Sequence, residues 1–206
     1  MHFSQNIILA NGEFPKHQIP LNLLTNAKRI ICCDGAIDKL IKIGLKPTTI
    51  IGDLDSISTK SKTEYEKSII HISRQSDSDL DKAIKFCINE KINNVTILGA
   101  TGLREDHTIR NLFSLSQYVD KINMQLLTDT GIFTPINKPT QFESYAGQQV
   151  SVFGNNPNTL FSTIHLKYNL TNTPCTDLYS YALNESLSDT FHINMSGEFL
   201  LIFQTY

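Results

Sequence analysis

The chain contains no tryptophan, no segment rich in lysine and arginine with interleaved aromatics, and no apolar run long enough to cross a bilayer. The missing basic stretch removes the usual electrostatic footprint of a nucleic-acid groove. The missing long apolar run removes a membrane-spanning helix. The four cysteines, Cys32, Cys33, Cys87 and Cys175, lack zinc-ligand spacing, so reduced thiols in a cytoplasmic protein are the simplest reading. The N-terminus, MHFSQNIILANG, has neither a basic lead nor a cleavage site and reads as a first strand rather than a signal peptide. Two phosphate-binding signatures, G-x-x-x-x-G-K-[ST] and G-x-G-x-x-G, are also absent. A nucleotide would therefore need metal, Arg104, loop amides and the N-terminus of a helix starting near Glu105. No internal repeat and no low-complexity tract is present.

What remains is an ordinary globular composition: 206 residues, 23.2 kDa, 40% hydrophobic, 18% charged and a net charge of -2. That length can bury a core as one domain or two small ones. Short apolar runs recur at Ile7-Ile8-Leu9, Ile30-Ile31-Cys32, Thr49-Ile50-Ile51, Ile69 to Ile72, Val95 to Leu98 and Met124 to Leu127. Between them, Ala36 to Ile43, Lys60 to Lys67, Asp79 to Asn89 and Glu105 to Tyr118 carry apolar residues at helical spacing. Buried strands alternating with helices predict an α/β fold, a mostly parallel sheet with helices on both faces. Past residue 130 the pattern shifts to short alternating segments, Gln149 to Phe153, Leu160 to Leu166, Phe191 to Asn194 and Phe199 to Phe203. They are broken by GNNPN, NLTNTP and MSGE, which is turn chemistry. Two domains follow: residues 1–129 as α/β and residues 130–206 as a small all-β sandwich.

In an open parallel sheet the loops after the strands share one edge, and ligands bind there. The acidic residues crowd into those loops: Asp34 after the second strand, Asp53 and Asp55 after the third, Asp77 and Asp79 after the fourth. GATGLREDH after the fifth adds Arg104, Asp106 and His107. Carboxylates held together repel unless a cation compensates them, and oxygen ligands select hard ions such as Mg²⁺. Aspartates beside one arginine suggest metal-assisted phosphoryl chemistry, the arginine taking charge that the metal does not reach. Each element also has a plainer reading. Asp55-Ser56 suits a turn and helix cap, Ser78 with Asp81 suits a capping box, Asp106 suits a cap, and Gly99 and Gly102 suit an ordinary loop. Their joint placement on one edge is what those readings leave unexplained.

Three blocks, CDGAIDKLIKIGLKPTTIIGDLDSIS, QSDSDLDKAI and GATGLREDHTIRNL, resemble in order and spacing the signature blocks of thiamine pyrophosphokinases. LKYNLTN at 166 to 172 and YALNES at 181 to 186 resemble two segments of that family's second half. The resemblance implies an ATP- and magnesium-binding catalytic domain, a thiamine-binding and dimerising sandwich, and a homodimer whose active sites are shared between subunits. It implies transfer of the diphosphate of ATP to the hydroxyl of thiamine, giving AMP and thiamine diphosphate. By matching position, Asp53, Asp55 and Asp79 would hold magnesium. Asp34, Gly35, Asp77, Gly102, Arg104, Asp106 and His107 would line the ATP and phosphate path, with Asp77 a choice for the base. Asn184 would serve the thiamine end of the pocket. Thiamine is flat and cationic, so an aromatic face from Tyr168, Tyr179 or Tyr181 suits it.

Four positions depart from the family pattern. Ala36 and Leu103 stand where the family has glycine, Leu183 where it has serine, and His165 where it has the glycine before Leu-Lys-aromatic. Leu183 keeps open a pyrophosphokinase acting on another alcohol, such as a hydroxymethylpterin. A non-catalytic thiamine diphosphate or nucleotide sensor is the alternative from another class, and so many carboxylates are more than a sensor needs.

Overall fold

A computed structural model describes residues 3–74 and 76–206; Gln75, which opens the second signature block, lies outside them. By contacts the chain divides into two compact units. One runs to Ser114 and takes in Lys121–Asp129; the other joins Leu115–Asp120 to Thr130–Tyr206.

In the first unit β1 (Asn6–Leu9), β2 (Arg29–Cys33), β3 (Thr49–Gly52), β4 (Ile69–His71), β5 (Asn94–Leu98) and β6 (Asn123–Leu127) form a sheet ordered β6-β5-β1-β2-β3-β4. Every pairing among them is parallel. Ile7, Ile8, Leu9, Ile31, Cys32, Ile50 and Ile51 are fully buried. The unbroken apolar runs in the sequence therefore mark strands covered on both sides. Helix α2 (Ala36–Leu40) follows β2, and α3 (Thr59–Glu64) follows β3. Helix α4 (Asp79–Asn89) leads into β5, and α5 (Glu105–Ser114) leaves it. Three of the helical segments expected from periodicity finish in 3₁₀ turns, Ile41–Ile43, Glu66–Ser68 and Leu115–Gln117. Such tightening is common at helix ends. Helix α1 (Gln18–Thr25), capped by the His17 side chain, has no counterpart in the periodicity reading. Its Pro20 sits in the first turn, where the missing N–H costs nothing.

The second unit is a sandwich of antiparallel sheets. One comprises β7 (Gly131–Ile136), β9 (Gln149–Phe153), β12 (Asn184–Glu185) and β14 (Leu200–Thr205), ordered β12-β9-β14-β7. The other comprises β8 (Thr140–Glu143), β10 (Leu160–Ile164), β11 (Thr173–Pro174) and β13 (Thr190–Ser196), ordered β11-β10-β13-β8. In β13, Phe191, Ile193 and Met195 turn inward while Asn194 and Ser196 face solvent. Those side chains join Phe142, Phe161, Val150, Val152 and Ile202 in one core, which is what face-to-face sheets require. Leu115–Asp120 groups with this unit, where Asp120 accepts a hydrogen bond from Asn137. Among the described residues no helix is long and apolar enough to cross a membrane, and all four cysteines are free and buried.

Candidate active site

The site is built by topology. Because β2 and β3 run side by side in the same direction, the residues that follow them emerge at one edge. Asp34 follows β2, with its N–H bonded to the Ile51 carbonyl at 2.8 Å. Asp53 follows β3, and Asp79 opens α4 beside them. Gly52 makes the convergence possible: a Cβ there would lie 2.8 Å from the Asp34 Cβ and 3.2 Å from Asp79 Oδ1. Asp34, Asp53 and Asp79 consequently bring one carboxylate oxygen each within 4.8 Å of one another.

Asp34 is the buried member, 2% exposed. Its Oδ2 accepts the Ser56 N–H at 2.9 Å, whereas its Oδ1 has no hydrogen-bond partner among the described residues. Burial pushes its carboxyl above the ordinary range; Asp79 and Asp53 add to this and the Ser56 N–H opposes it. A buried anionic oxygen with no donor is a cost that a cation removes. The all-oxygen donor set and the orphaned Oδ1 together fit Mg²⁺.

A cation of the chain itself already reaches this cluster. Lys82 lies one helical turn after Asp79, its side chain 2% exposed, with Nζ 2.9 Å from Asp79 Oδ1 and 3.8 Å from Asp53 Oδ2. Helix α4 is fixed by a complete capping box, Ser78 accepting the Asp81 N–H and Asp81 accepting the Ser78 N–H. Asp81 also receives Arg110 from α5 at 2.6 Å. The capping reading of Ser78 and Asp81 is therefore correct, and the cap is what aims Asp79 and Lys82.

The remaining sequence candidates spread around this core. Asp55 is exposed, its N–H on Asp53 Oδ1 at 3.3 Å. Leu54 between them has φ 69°, a left-handed turn, and Asp55 is not among the three carboxylates that converge. It is Asp34, not Asp55, that completes the close triad. Asp77 is held by Lys85 at 2.8 Å and approached by Arg74 at 3.8 Å, and the Lys85 hydrogen bond keeps its carboxyl below the ordinary range. Arg104 grips Asp106 through two nitrogens, at 3.1 and 2.6 Å, with both side chains exposed. Gly35 is buried, and a Cβ there would lie 2.8 Å from both the Asn11 Nδ2 and the Ser56 carbonyl. The Gly102 N–H bonds Thr108 Oγ1 at 3.1 Å, tying its loop to the start of α5.

A cavity of about 390 Å³ opens over this edge. Asp53, Asp77, Asp79, Lys82, Gly102, Arg104 and His107 are among its walls; Asp34, Gly35, Asp55 and Asp106 are not. Its size suits a small ligand. Lys82 was not foreseen from the sequence, although its i+3 spacing from Asp79 on a helix was the available signal.

In the sandwich, Asn184 is buried and its amide is engaged with backbone. Its Oδ1 accepts the Tyr168 N–H at 3.1 Å and the Glu185 N–H at 2.9 Å, and its Nδ2 donates to the Tyr168 carbonyl at 2.8 Å. Asn184 thus fixes the backbone of Tyr168, a residue 63% exposed, with Lys167 Nζ 6.0 Å from its ring centroid. Tyr181 packs edge-on against Phe161 and donates to the Pro174 carbonyl, a role in the core. Tyr179 is exposed.

Two family models match the chain: "Thiamin pyrophosphokinase, catalytic domain" over residues 21–127 and "Thiamin pyrophosphokinase, substrate-binding domain" over residues 131–203. A Caenorhabditis elegans thiamin pyrophosphokinase is 31% identical over 118 residues, 53% of this chain and 48% of that protein. A Bacillus subtilis thiamine pyrophosphokinase is 30% identical over 125 residues, 58% and 57% respectively. The chain thus spans about half the length of these relatives. The crystal structure of thiamine pyrophosphokinase from Bacillus subtilis superposes with a TM-score of 0.81 at 19% identity, covering 97% of this chain and 98% of that one. That likeness is one of fold.

Proposed function

The chain belongs to the thiamin pyrophosphokinase family, and from that premise we propose that it transfers the terminal diphosphate of ATP to the hydroxyethyl oxygen of thiamine, releasing AMP. The observation that carries the reading is the Asp34, Asp53 and Asp79 cluster, with its unpartnered buried oxygen, at the edge of a cavity that Arg104 also lines.

In this reading residues 1–129 bind ATP and magnesium, and residues 130–206 bind thiamine and form the dimer. Asp34, Asp53 and Asp79 would hold Mg²⁺, with the exposed Asp55 adding a carboxylate on the solvent side. When bound, the ion would offset phosphate charge as the α,β-bridging bond breaks. Arg104 would exchange its exposed partner Asp106 for a phosphate, for which a guanidinium fork is well shaped. His107 and the Gly102 loop would border the phosphate path, and Gly35 would let the backbone come close. Asp77 is a poor proton acceptor while Lys85 and Arg74 hold it ionised, so taking the thiamine hydroxyl proton would need Lys85 to swing away. Tyr168 would offer an aromatic face to thiamine, with Asn184 acting through its backbone. In-line placement of the alcohol against the β-phosphorus then supplies most of the remaining acceleration.

Incubation with ATP, Mg²⁺ and thiamine tests this. AMP should appear in step with thiamine diphosphate, and EDTA should stop both. ADP with thiamine monophosphate would refute diphosphate transfer. Turnover of a hydroxymethylpterin in place of thiamine would move the substrate, and binding without turnover would make the chain a sensor.

A further inference from the structure

We infer that Lys82 is the site's resident counter-cation, competing with the divalent metal for Asp79 and Asp53 so that the empty site binds metal weakly and fills together with nucleotide. The inference rests on the metal reading above and goes beyond it. A lysine side chain 2% exposed is rarely buried without a partner. Here the partners are the two carboxylates that also converge on Asp34, at 2.9 and 3.8 Å from Nζ.

Charge decides what such a lysine does. Three aspartates carry three negative charges, and the ammonium reduces the cluster to two, which one divalent cation would neutralise. A polyphosphate would then meet a neutral cluster rather than a residual anion. Without metal, the same ammonium keeps two of the carboxylates compensated, so the folded site survives empty. The cost falls on metal affinity. A divalent ion approaching Asp79 Oδ1 meets an oxygen already accepting a hydrogen bond, and a positive charge lies behind it. An ion arriving with ATP brings phosphate oxygens as further ligands and offsets that repulsion. Lys82 lines the cavity but reaches the metal only through the carboxylates, so its role is positioning.

The test is a titration with Mn²⁺ on the full chain, read without nucleotide by the free-ion electron paramagnetic resonance signal and with ATP by the Mn²⁺ retained with the protein on ultrafiltration, because ATP alone also takes up the free ion. Lys82→Met removes contact and charge; Lys82→Gln keeps a donor for Asp79 and removes only charge. Without nucleotide, both variants should bind Mn²⁺ about tenfold tighter or more, because a cation within 4–6 Å of a carboxylate perturbs its affinity for a competing cation on that scale. In EDTA both should melt below the wild type, since two half-buried carboxylates lose their compensation. Mn²⁺ should raise their Tm by more than it raises that of the wild type. Should Lys82→Met fail to fold, Lys82→Gln decides alone. Unchanged or weaker Mn²⁺ binding in the variants, with the wild type still binding Mn²⁺ alongside ATP, overturns the competition while leaving the metal site standing. No Mn²⁺ bound by any of the three proteins, even with ATP, removes the metal reading and the inference with it.

Discussion

Asp34 concentrates the electrostatic tension of the empty site. Burial and two neighbouring carboxylates raise its carboxyl above the ordinary range in the folded chain. A carboxyl raised in this way holds its proton in the native state after the unfolded chain has lost it. Metal-free stability therefore falls as pH rises from the ordinary carboxylate range through the raised value. Asp34→Asn should remove that slope. Asparagine accepts the positive φ of 29° at this position, and its amide can donate to the neighbouring carboxylates. We expect Tm in EDTA to rise by roughly 2–4 °C, what about 1 kcal/mol amounts to in a chain of this size. The Mg²⁺-induced rise in Tm should vanish. A variant that still gains stability from Mg²⁺ would show that Asp53 and Asp79 suffice without Asp34. The resemblance points to Asp53, Asp55 and Asp79, and the three carboxylates that converge are Asp34, Asp53 and Asp79. The partner that closes on Asp53 lies across a strand pair, and neither periodicity nor spacing reveals that.

At the scale of elements, the sequence was legible where one local rule dominated. Helix α4 starts and ends where its apolar spacing and the Ser78 cap place it. Helix α1 was illegible because it is short, its first turn holds no acidic residue and it carries a proline. In the sandwich, β7 contains Pro135 and β8 has four residues, so neither shows a clean alternation. Loops raise a different issue. Leu103 has φ 64° and His165 φ 65°, the left-handed region that glycine enters freely. Both stand where the resemblance has glycine, so the chain keeps a glycine backbone with a side chain attached. Both residues are exposed; Leu103 would lose little packing on truncation, whereas His165 would lose its Nδ1 contact with the Thr190 carbonyl at 3.2 Å and its edge-on approach to His192. Leu103→Gly should stabilise by about 0.5–1 kcal/mol, the left-handed strain relieved less the extra freedom glycine has when unfolded, and His165→Gly should gain less because it also gives up its Thr190 and His192 contacts. Additivity of the two changes in the double variant would show that the positions are energetically independent. Urea titrations of the single and double variants measure this, and a loss of stability at either position would mean its side chain makes contacts worth more than the strain.

For the whole molecule, the proposed homodimer with shared sites makes a quantitative demand. Chains carrying Asp53→Asn and chains carrying Asn184→Ala are first shown to be folded dimers with little activity. Co-refolded in equal amounts, about half the dimers should be mixed, each with one doubly altered site and one intact site, so activity should return to roughly a quarter of wild type. Subunit exchange with no recovered activity would mean that each site is built within one chain. Asn184→Ala removes an amide that serves Tyr168 and Glu185 backbone, so its thermal melt has to accompany the assay.

The three clustered carboxylates sit at positions 34, 53 and 79, on segments brought together by parallel strand pairing and the packing of α4 on β2 and β3. Parallel neighbours cannot form from a tight hairpin and need a crossover between them, so these contacts arise late relative to local helix formation. A stretch of chain that stops short of Asp79, or in which β2 and β3 have not paired, lacks the cluster. A copy in which those strands have not yet paired therefore lacks the three converging carboxylates, and acquiring magnesium becomes a report that this part of the sheet has formed.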